Sequence, residues 1–405
     1  MNIIGRFYSY LESSYEETFK RKSMHSLNIT IMQTIDLKLL KELTAIQDEP
    51  CISIYMPTHR VHPANATDPI TFKNLYKKTL QYIKDNELDQ HQKIIQPLEK
   101  LIDDKAFWDH NAQGLAIFVS SRDTLILRLP EKVQEITCVA DSFCIKPLFK
   151  LYHENQPYYL LALALDDVKL YVGDKYQIQE LEIKDKVPTS MKEALGKELT
   201  NNHLHGNVVE GAGLHGYMEK SQEEDIDMNR FFRKVDQAIL EHYPMPHDVP
   251  LLVVTLPEHL NHFIRISKHH NFSPIHIEIN PHSLSKTALL EKVQEVFDKI
   301  REKRKEELLE RYQLALSENL SSLDIGDVVR DVIDGKVEVL CIENGKSIDG
   351  HIDMQKRDIV TNNGRHTDVI NELACLAFNY GGSVIALDTE EMPSETGIFT
   401  INRYQ

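Results

Sequence analysis

The sequence predicts a mixed α/β protein built from three domains. Its 405 residues exceed what one core, at about 100 to 200 residues per domain, accommodates. Short apolar runs of strand length alternate with longer stretches whose apolar residues recur at helical spacing, and sheets made in that way are covered on both faces by helices. The pattern changes character twice, which divides the chain into residues 32–150, 151–283 and 284–405, behind an N-terminal extension of residues 1–31.

Residues 1–31 mix charges and aromatics with no continuous apolar block ahead of a small-residue cleavage site, so they read as an appendage and not as an export signal. Met32 would serve as an alternative start, and an ordinary N-terminal helix explains the same residues equally well. In 32–150, "CISIYMPTHR" opens with alternating apolar residues and closes on Pro57, as a strand entering a turn does. "FKNLYKKTLQYI" and "HQKIIQPLEKLI" carry apolar residues at helical spacing, and "GLAIFVS" and "TLILRLP" return to strand character. The lone Trp108 is expected in the core.

The second portion begins with "YYLLALALDD", "VKLYVGD" and "YQIQELEI", three short strands separated by acidic or glycine turns, the pattern of an antiparallel meander. A polar helix, "TSMKEALGKEL", precedes a long glycine-rich stretch. In "NRFFRKVDQAILEHY", Phe231, Phe232, Val235, Ile239 and Leu240 share one face of a helix. "VPLLVVTL", "PEHLNHFIRISKHH" and "PIHIEI" then read as strand, helix and strand.

The third portion enters through "TALLEKVQEVFDKIREKRKEELLERYQLAL", a long helix whose Glu, Lys and Arg residues form a solvated face. "LDIGDVVRDVIDG" is a helix capped by Gly335, "KVEVLCI" a strand, and "HTDVINELACLAFNYGG" a helix stopped by Gly381 and Gly382. "SVIALD" and "GIFTINRY" are the last strands.

Composition narrows the function. An apolar fraction of 41% with 27% charged residues is that of a soluble globular protein, and no run of about 18 apolar residues spans a bilayer, so a cytoplasmic protein without a membrane partner is expected. The five cysteines are scattered and include no C-x-x-C, which argues for reduced thiols over disulfides or a zinc ribbon. The net charge of -16 opposes phosphate attraction, so DNA is not an expected partner and any RNA contact must be local.

"GAGLHG", residues 211–216, spells the G-x-G-x-x-G of dinucleotide-binding loops. That chemistry needs an apolar strand running into the first glycine, but "NNHLHGNVVE" carries little strand character, and the following Glu219, Glu223, Glu224, Asp225 and Asp227 would repel a pyrophosphate. His203, His205 and His215 lie close in sequence, yet have no paired Cys or carboxylate at metal-site spacing, so neither metal nor cofactor is expected. What remains is a long glycine-rich tip inside one domain, a kind of loop that is usually functional or disordered.

Three passages carry a family resemblance: "PCISIYMPTHR" with "DPITFKNLYKKTL"; the glycine loop with "MNRFFRKVDQAI"; and "LDIGDVVRDVIDGKVEVLCI" with "LACLAFNYGGSVIALDTEEMPSETGIFTINRY". In these the chain resembles the bacterial relatives of the archaeal and eukaryotic class I peptide-chain release factors, the superfamily that includes the rescue protein Pelota. The resemblance implies an N-terminal α/β domain facing the decoding site, a central ribonuclease H-like domain over 151–283, and a C-terminal α/β/α sandwich like that of certain RNA-binding ribosomal proteins. It also implies the ribosome as partner, through rRNA and tRNA, and delivery by a translational GTPase.

In true release factors the central loop carries Gly-Gly-Gln to the peptidyl-tRNA ester. Here the equivalent stretch is "GAGLHGYMEK", and Gly-Gly-Gln occurs nowhere in the chain. The resemblance makes His205, Gly206, Gly211, Gly213, His215 and Gly216 the loop facing the peptidyl-transferase centre. No catalytic residue is assigned. His215 is the candidate general base, because imidazole titrates near neutral pH, while a solvated histidine explains it as well. His59 and Arg60, just past a strand, are candidate RNA contacts, with an exposed turn as the plain alternative. "MPSETG" before the last strand is either a contact loop or an ordinary turn. The expected function is a release-factor-like protein that binds the ribosomal A site in rescue, stalling or dormancy without termination chemistry. The rival is a peptidyl-tRNA or RNA ester hydrolase that uses the loop histidines.

Overall fold

The computed structural model describes residues 29–32, 35–85, 92–196, 199, 215–247, 249–360 and 367–405. The chain forms two compact units, Glu154–Lys305 and a discontinuous one made of Met1–His153 with Glu306–Gln405. The expected mixed α/β class is what the molecule adopts, with four sheets among the described residues.

The N-terminal elements are β1 (Ile29–Met32), α1 (Leu37–Ala45), β2 (Gln47–Pro57), α2 (Asp68–Asp85), α3 (Gln92–Ile102), α4 (Lys105–Trp108), β3 (Gly114–Val119), β4 (Thr124–Leu129), β5 (Ile136–Ser142) and α5 (Lys146–Glu154). The sheet order is β1-β4-β3-β2-β5, with β1 parallel to β4 and the other pairs antiparallel. Strand β1 reaches upstream of the boundary expected at residue 32 and pairs Ile29 with Thr124.

Alternation along β2 sends Ile52, Ile54 and Met56 to one face, where they meet Phe72 and Leu75 of α2, Leu98 of α3 and Trp108. Cys51 and Tyr55 point to the other face, against Leu40 of α1 and Phe149 of α5. Trp108 is core as expected, with its indole N–H donating to the Leu101 carbonyl at 2.7 Å. Strand β5 carries little sequence signal, because most of its side chains are only half buried and leave no apolar alternation.

The unit 154–305 opens with β6 (Tyr158–Leu163), β7 (Val168–Asp174) and β8 (Gln177–Leu181), the expected antiparallel meander. Helices α6 (Met191–Leu195) and α7 (His215–His242), strand β9 (Leu251–Val254) and helix α8 (Pro257–Ile266) follow. The sheet runs β8-β7-β6-β9 with β9 parallel to β6. The expected strand "PIHIEI" forms no full strand: only bridges Leu251↔Phe272 and Val254↔Ile277 extend the sheet beyond β9. Three antiparallel strands followed by parallel additions are in keeping with the ribonuclease H-like expectation. Helix α7 starts well before "NRFFRKV", so the acidic run after the glycines is helical. It contains no proline and is rich in Glu, Gln, Lys and Met, all good helix formers.

Helix α9 (Lys286–Ser317) serves both units along its length. Its first half places Leu289, Val293, Val296 and Ile300 on Leu160 and Leu252 of the central sheet. Its second half places Leu308 and Tyr312 on Cys341 and Phe399. The C-terminal elements are α10 (Ile325–Ile333), β10 (Val337–Glu343), the short hairpin β11 (His351–Asp353) and β12 (Asp358–Val360), α11 (Val369–Asn379), β13 (Ser383–Leu387) and β14 (Ile398–Asn402).

The sheet β13-β10-β14 has the end of α9 on one face and α10 with α11 on the other, the expected α/β/α sandwich. Gly335 and Gly381 end their helices at φ +69° and +79°, the left-handed conformation that glycine adopts at no steric cost. The N-terminal sheet and this sandwich share one core, in which Tyr55, Phe118 and Phe149 lie in the same cluster as Val329, Leu340 and Leu373. All five cysteines are free thiols. No helix among the described residues is long and apolar enough to cross a membrane.

Candidate functional site

The turn after β2 is built by hydrogen bonds to fixed neighbours. The Thr58 N–H donates to the Gln113 carbonyl at 2.9 Å, and its hydroxyl donates to the Ala112 carbonyl at 3.0 Å, so the chain leaves the sheet in one direction. The His59 N–H then donates to Asp68 Oδ2 and its ring Nδ1 meets Asp68 Oδ1, both at 2.8 Å. A carboxylate only accepts, so Nδ1 carries the proton. Asp68 is buried and opens α2, where a negative charge also suits the helix N-terminus. One candidate RNA contact, His59, therefore spends its Nδ1 on holding the turn against the helix.

The other, Arg60, is exposed. Helix α2 continues outward from the same turn with Lys73, Lys77, Lys78 and Lys84, all exposed. Lys73, Lys77 and Lys84 recur on one stripe of the helix. Neither Arg60 nor any of these lysines meets a carboxylate among the described residues. On a chain of net charge -16 this is a local positive surface. The signal for this surface lies in "FKNLYKKTLQYIK": the residues left over after the apolar face is assigned are mostly lysines. Val61 and Ile70 stand exposed beside them.

In the unit 154–305 the glycine loop is anchored at both described ends. Helix α6 begins with Ser190 accepting the Glu193 N–H at 3.2 Å, while Glu193 accepts from Thr189 N–H and hydroxyl at 2.7 and 2.8 Å, a reciprocal cap. Lys234 of α7 donates to the Ala194 carbonyl at 2.8 Å and ties the two helices together. Gly196 ends α6 at φ +50°. Of the expected loop residues, His203, His205, Gly206, Gly211 and Gly213 lie outside the described residues, whereas His215 and Gly216 open α7. A helix beginning at the last glycine is one element of a dinucleotide site. The sheet of this unit is mainly antiparallel, however, so the doubly wound parallel fold that such a site needs is absent among the described residues.

Three histidines elsewhere in the unit, His259, His269 and His276, pack into the fold. Burial lowers the pKa of His259, His269 and His276 below the ordinary imidazole value, and the three lie among Phe232, Phe263 and Phe272 as neutral rings. Among the described residues no group of three His, Cys, Asp or Glu side chains is placed to hold a metal ion.

Residues 157–336 match the family described as bacterial archaeo-eukaryotic release factor family 3. No curated protein matches the chain in sequence. Among solved structures, the Pelota protein of Archaeoglobus fulgidus is 11% identical, over 92% of this chain and 93% of that one, at a TM-score of 0.32. The archaeal translation termination factor aRF1 is 14% identical over 91% and 96%, at 0.22. S. cerevisiae Dom34, described as a translation termination-like factor involved in RNA quality control and interacting with Hbs1, is 13% identical over 70% and 73%, at 0.34. Over residues 157–336, the chain is similar to the bacterial archaeo-eukaryotic release factor family 3.

Proposed function

We propose that the protein is a cytoplasmic, ribosome-associated translation factor that occupies the A site in rescue, stalling or dormancy and does not terminate translation. The observation that carries this reading is the family match over residues 157–336, joined to a sequence with no Gly-Gly-Gln. Without that glutamine, nothing in the loop supplies the side chain that release factors bring to the ester, and such catalysis depends on groups held within hydrogen-bond reach of the reacting atoms. Arg60 and the α2 lysines supply the local positive charge that an otherwise acidic chain needs near rRNA. His59 holds the turn from which Arg60 projects. The loop containing His205, Gly206, Gly211, Gly213, His215 and Gly216 is directed at the peptidyl-transferase centre, and a translational GTPase delivers the protein.

Sedimentation of the full chain with ribosomes at low and moderate salt tests the reading. The expected result is co-sedimentation that weakens as salt rises and is reduced in Arg60→Glu and Lys77→Glu. A protein that stays in the supernatant at every salt concentration overturns it. Purified peptidyl-tRNA on ribosomes should release no peptide above background; release abolished by His215→Ala would establish the hydrolase reading instead.

A further inference from the structure

Helices α7 and α8 border an open cleft of about 610 Å³ lined by Ile226, Asn229, Arg230, Arg233, Arg265 and Ile266. Its walls are set by the fold. Ile226, Asn229, Arg230 and Arg233 recur at i, i+3, i+4 and i+7 on α7, so they share one stripe. Phe232 stacks edge-on against Phe263 at 5.8 Å, locking the two helices together beneath that stripe. Buried Asp236 accepts from the Ser267 hydroxyl and from the Lys268 N–H at 3.0 Å, which fixes the end of α8 and with it Arg265 and Ile266.

The charges in this cleft are poorly neutralised. Arg230 meets Asp227 at 3.4 Å, Arg265 Nη2 lies 3.3 Å from the ring of His262, and Arg233 has no carboxylate partner among the described residues. Three guanidiniums thus line one cleft, and Asp227 is the one carboxylate paired with them among the described residues, in a chain of net charge -16. Asn229 donates its amide to the Asp225 carbonyl at 2.7 Å, and its Oδ1 is buried away from the surface. Ile226 is 48% exposed, an apolar surface with nothing on it.

We infer that this cleft holds a nucleotide of single-stranded RNA. Guanidinium forks match phosphate oxygens in pairs, and Ile226 and Ile266 offer apolar surface against which a base can lie. Its volume falls within the range of about 300 to 1,000 Å³ that small-molecule sites span. The inference rests on the ribosome-associated reading for the source of the RNA, though not for the chemistry of the site.

The test is fluorescence anisotropy of the full chain with a labelled single-stranded RNA hexamer, run beside ribosome sedimentation of the same preparations. Saturable binding is expected, weakened about tenfold in the double variant Arg233→Ala, Arg265→Ala and more modestly in Ile226→Ala, with Lys299→Ala as the unaffected control. Circular dichroism checks that each variant is folded. Binding unchanged in the double variant overturns the site. Displacement by polyglutamate or inorganic phosphate as effective as that by unlabelled RNA also overturns it, because charge alone would then explain the binding. Arginine-dependent hexamer binding by a protein that ignores ribosomes would retain this site and refute the functional reading. The reverse pattern would do the opposite.

Discussion

Asn371 shows how much one buried side chain can hold together. Its Oδ1 accepts the N–H groups of Ile145 and Lys146 at 2.9 and 3.0 Å, and its Nδ2 donates to the Phe143 carbonyl at 3.0 Å. Asn371→Leu keeps the volume and strands all three backbone groups, so urea unfolding should show a loss of about 2 to 4 kcal/mol. Nearby, Lys146 pairs with Asp368 at 2.7 Å with both side chains largely buried. Glu372, one residue beyond Asn371, is a different case. Burial, with the Asp141 and Asp368 carboxylates nearby, pushes its carboxyl up to about 7, against the pull of the Ile352 N–H at 2.8 Å. The folded protein therefore holds that proton more tightly than the unfolded chain, whose carboxyl titrates near 4.3. Stability from this group is present at low pH and is lost as pH rises through about 7. Glu372→Gln should remove the slope and gain about 1 kcal/mol at pH 8, with no gain at pH 4, as read from paired urea titrations. None of these contacts was legible in the sequence, because each joins residues far apart along the chain.

Helix α10 was the most legible segment, and its two ends can be tested separately. Asp324 accepts the N–H groups of Gly326 and Asp327 at 2.9 and 3.3 Å, and Gly335 closes the other end at φ +69°. Asp324→Ala and Gly335→Ala should each cost about 1 kcal/mol. A nine-residue helix separates the sites by about 13 Å, so the double variant should lose the sum to within about 0.5 kcal/mol in thermal or urea unfolding. Other segments show where such reading ends. "PIHIEI" alternates like a strand but bonds only through isolated bridges, since alternation describes a half-buried extended segment whether or not it has a full partner. Helix α5 is hard to see in the sequence because it is short and opens on Lys-Pro, which looks like a turn although proline fits the first turn of a helix. The lysines of α2 were visible as letters, but only the assignment of its apolar face to the sheet shows them to be one surface.

The division of the chain departs from a simple string of consecutive domains. The sequence locates the sheets and most helices, yet offers no sign that residues before 154 and after 305 belong to one body, because their shared core is made of ordinary apolar faces. A chain ending at residue 305 would leave Tyr55, Phe118 and Phe149 without their partners Val329, Leu340 and Leu373. Such a truncated protein should bind a hydrophobic dye and aggregate at concentrations where the full chain remains monodisperse in light scattering. The same arrangement sets an order of birth. During synthesis the middle segment, Glu154–Lys305, is complete and able to close on itself while the first segment still waits, half clothed, for strands that emerge last. The newborn polypeptide finishes its beginning only when it reaches its end.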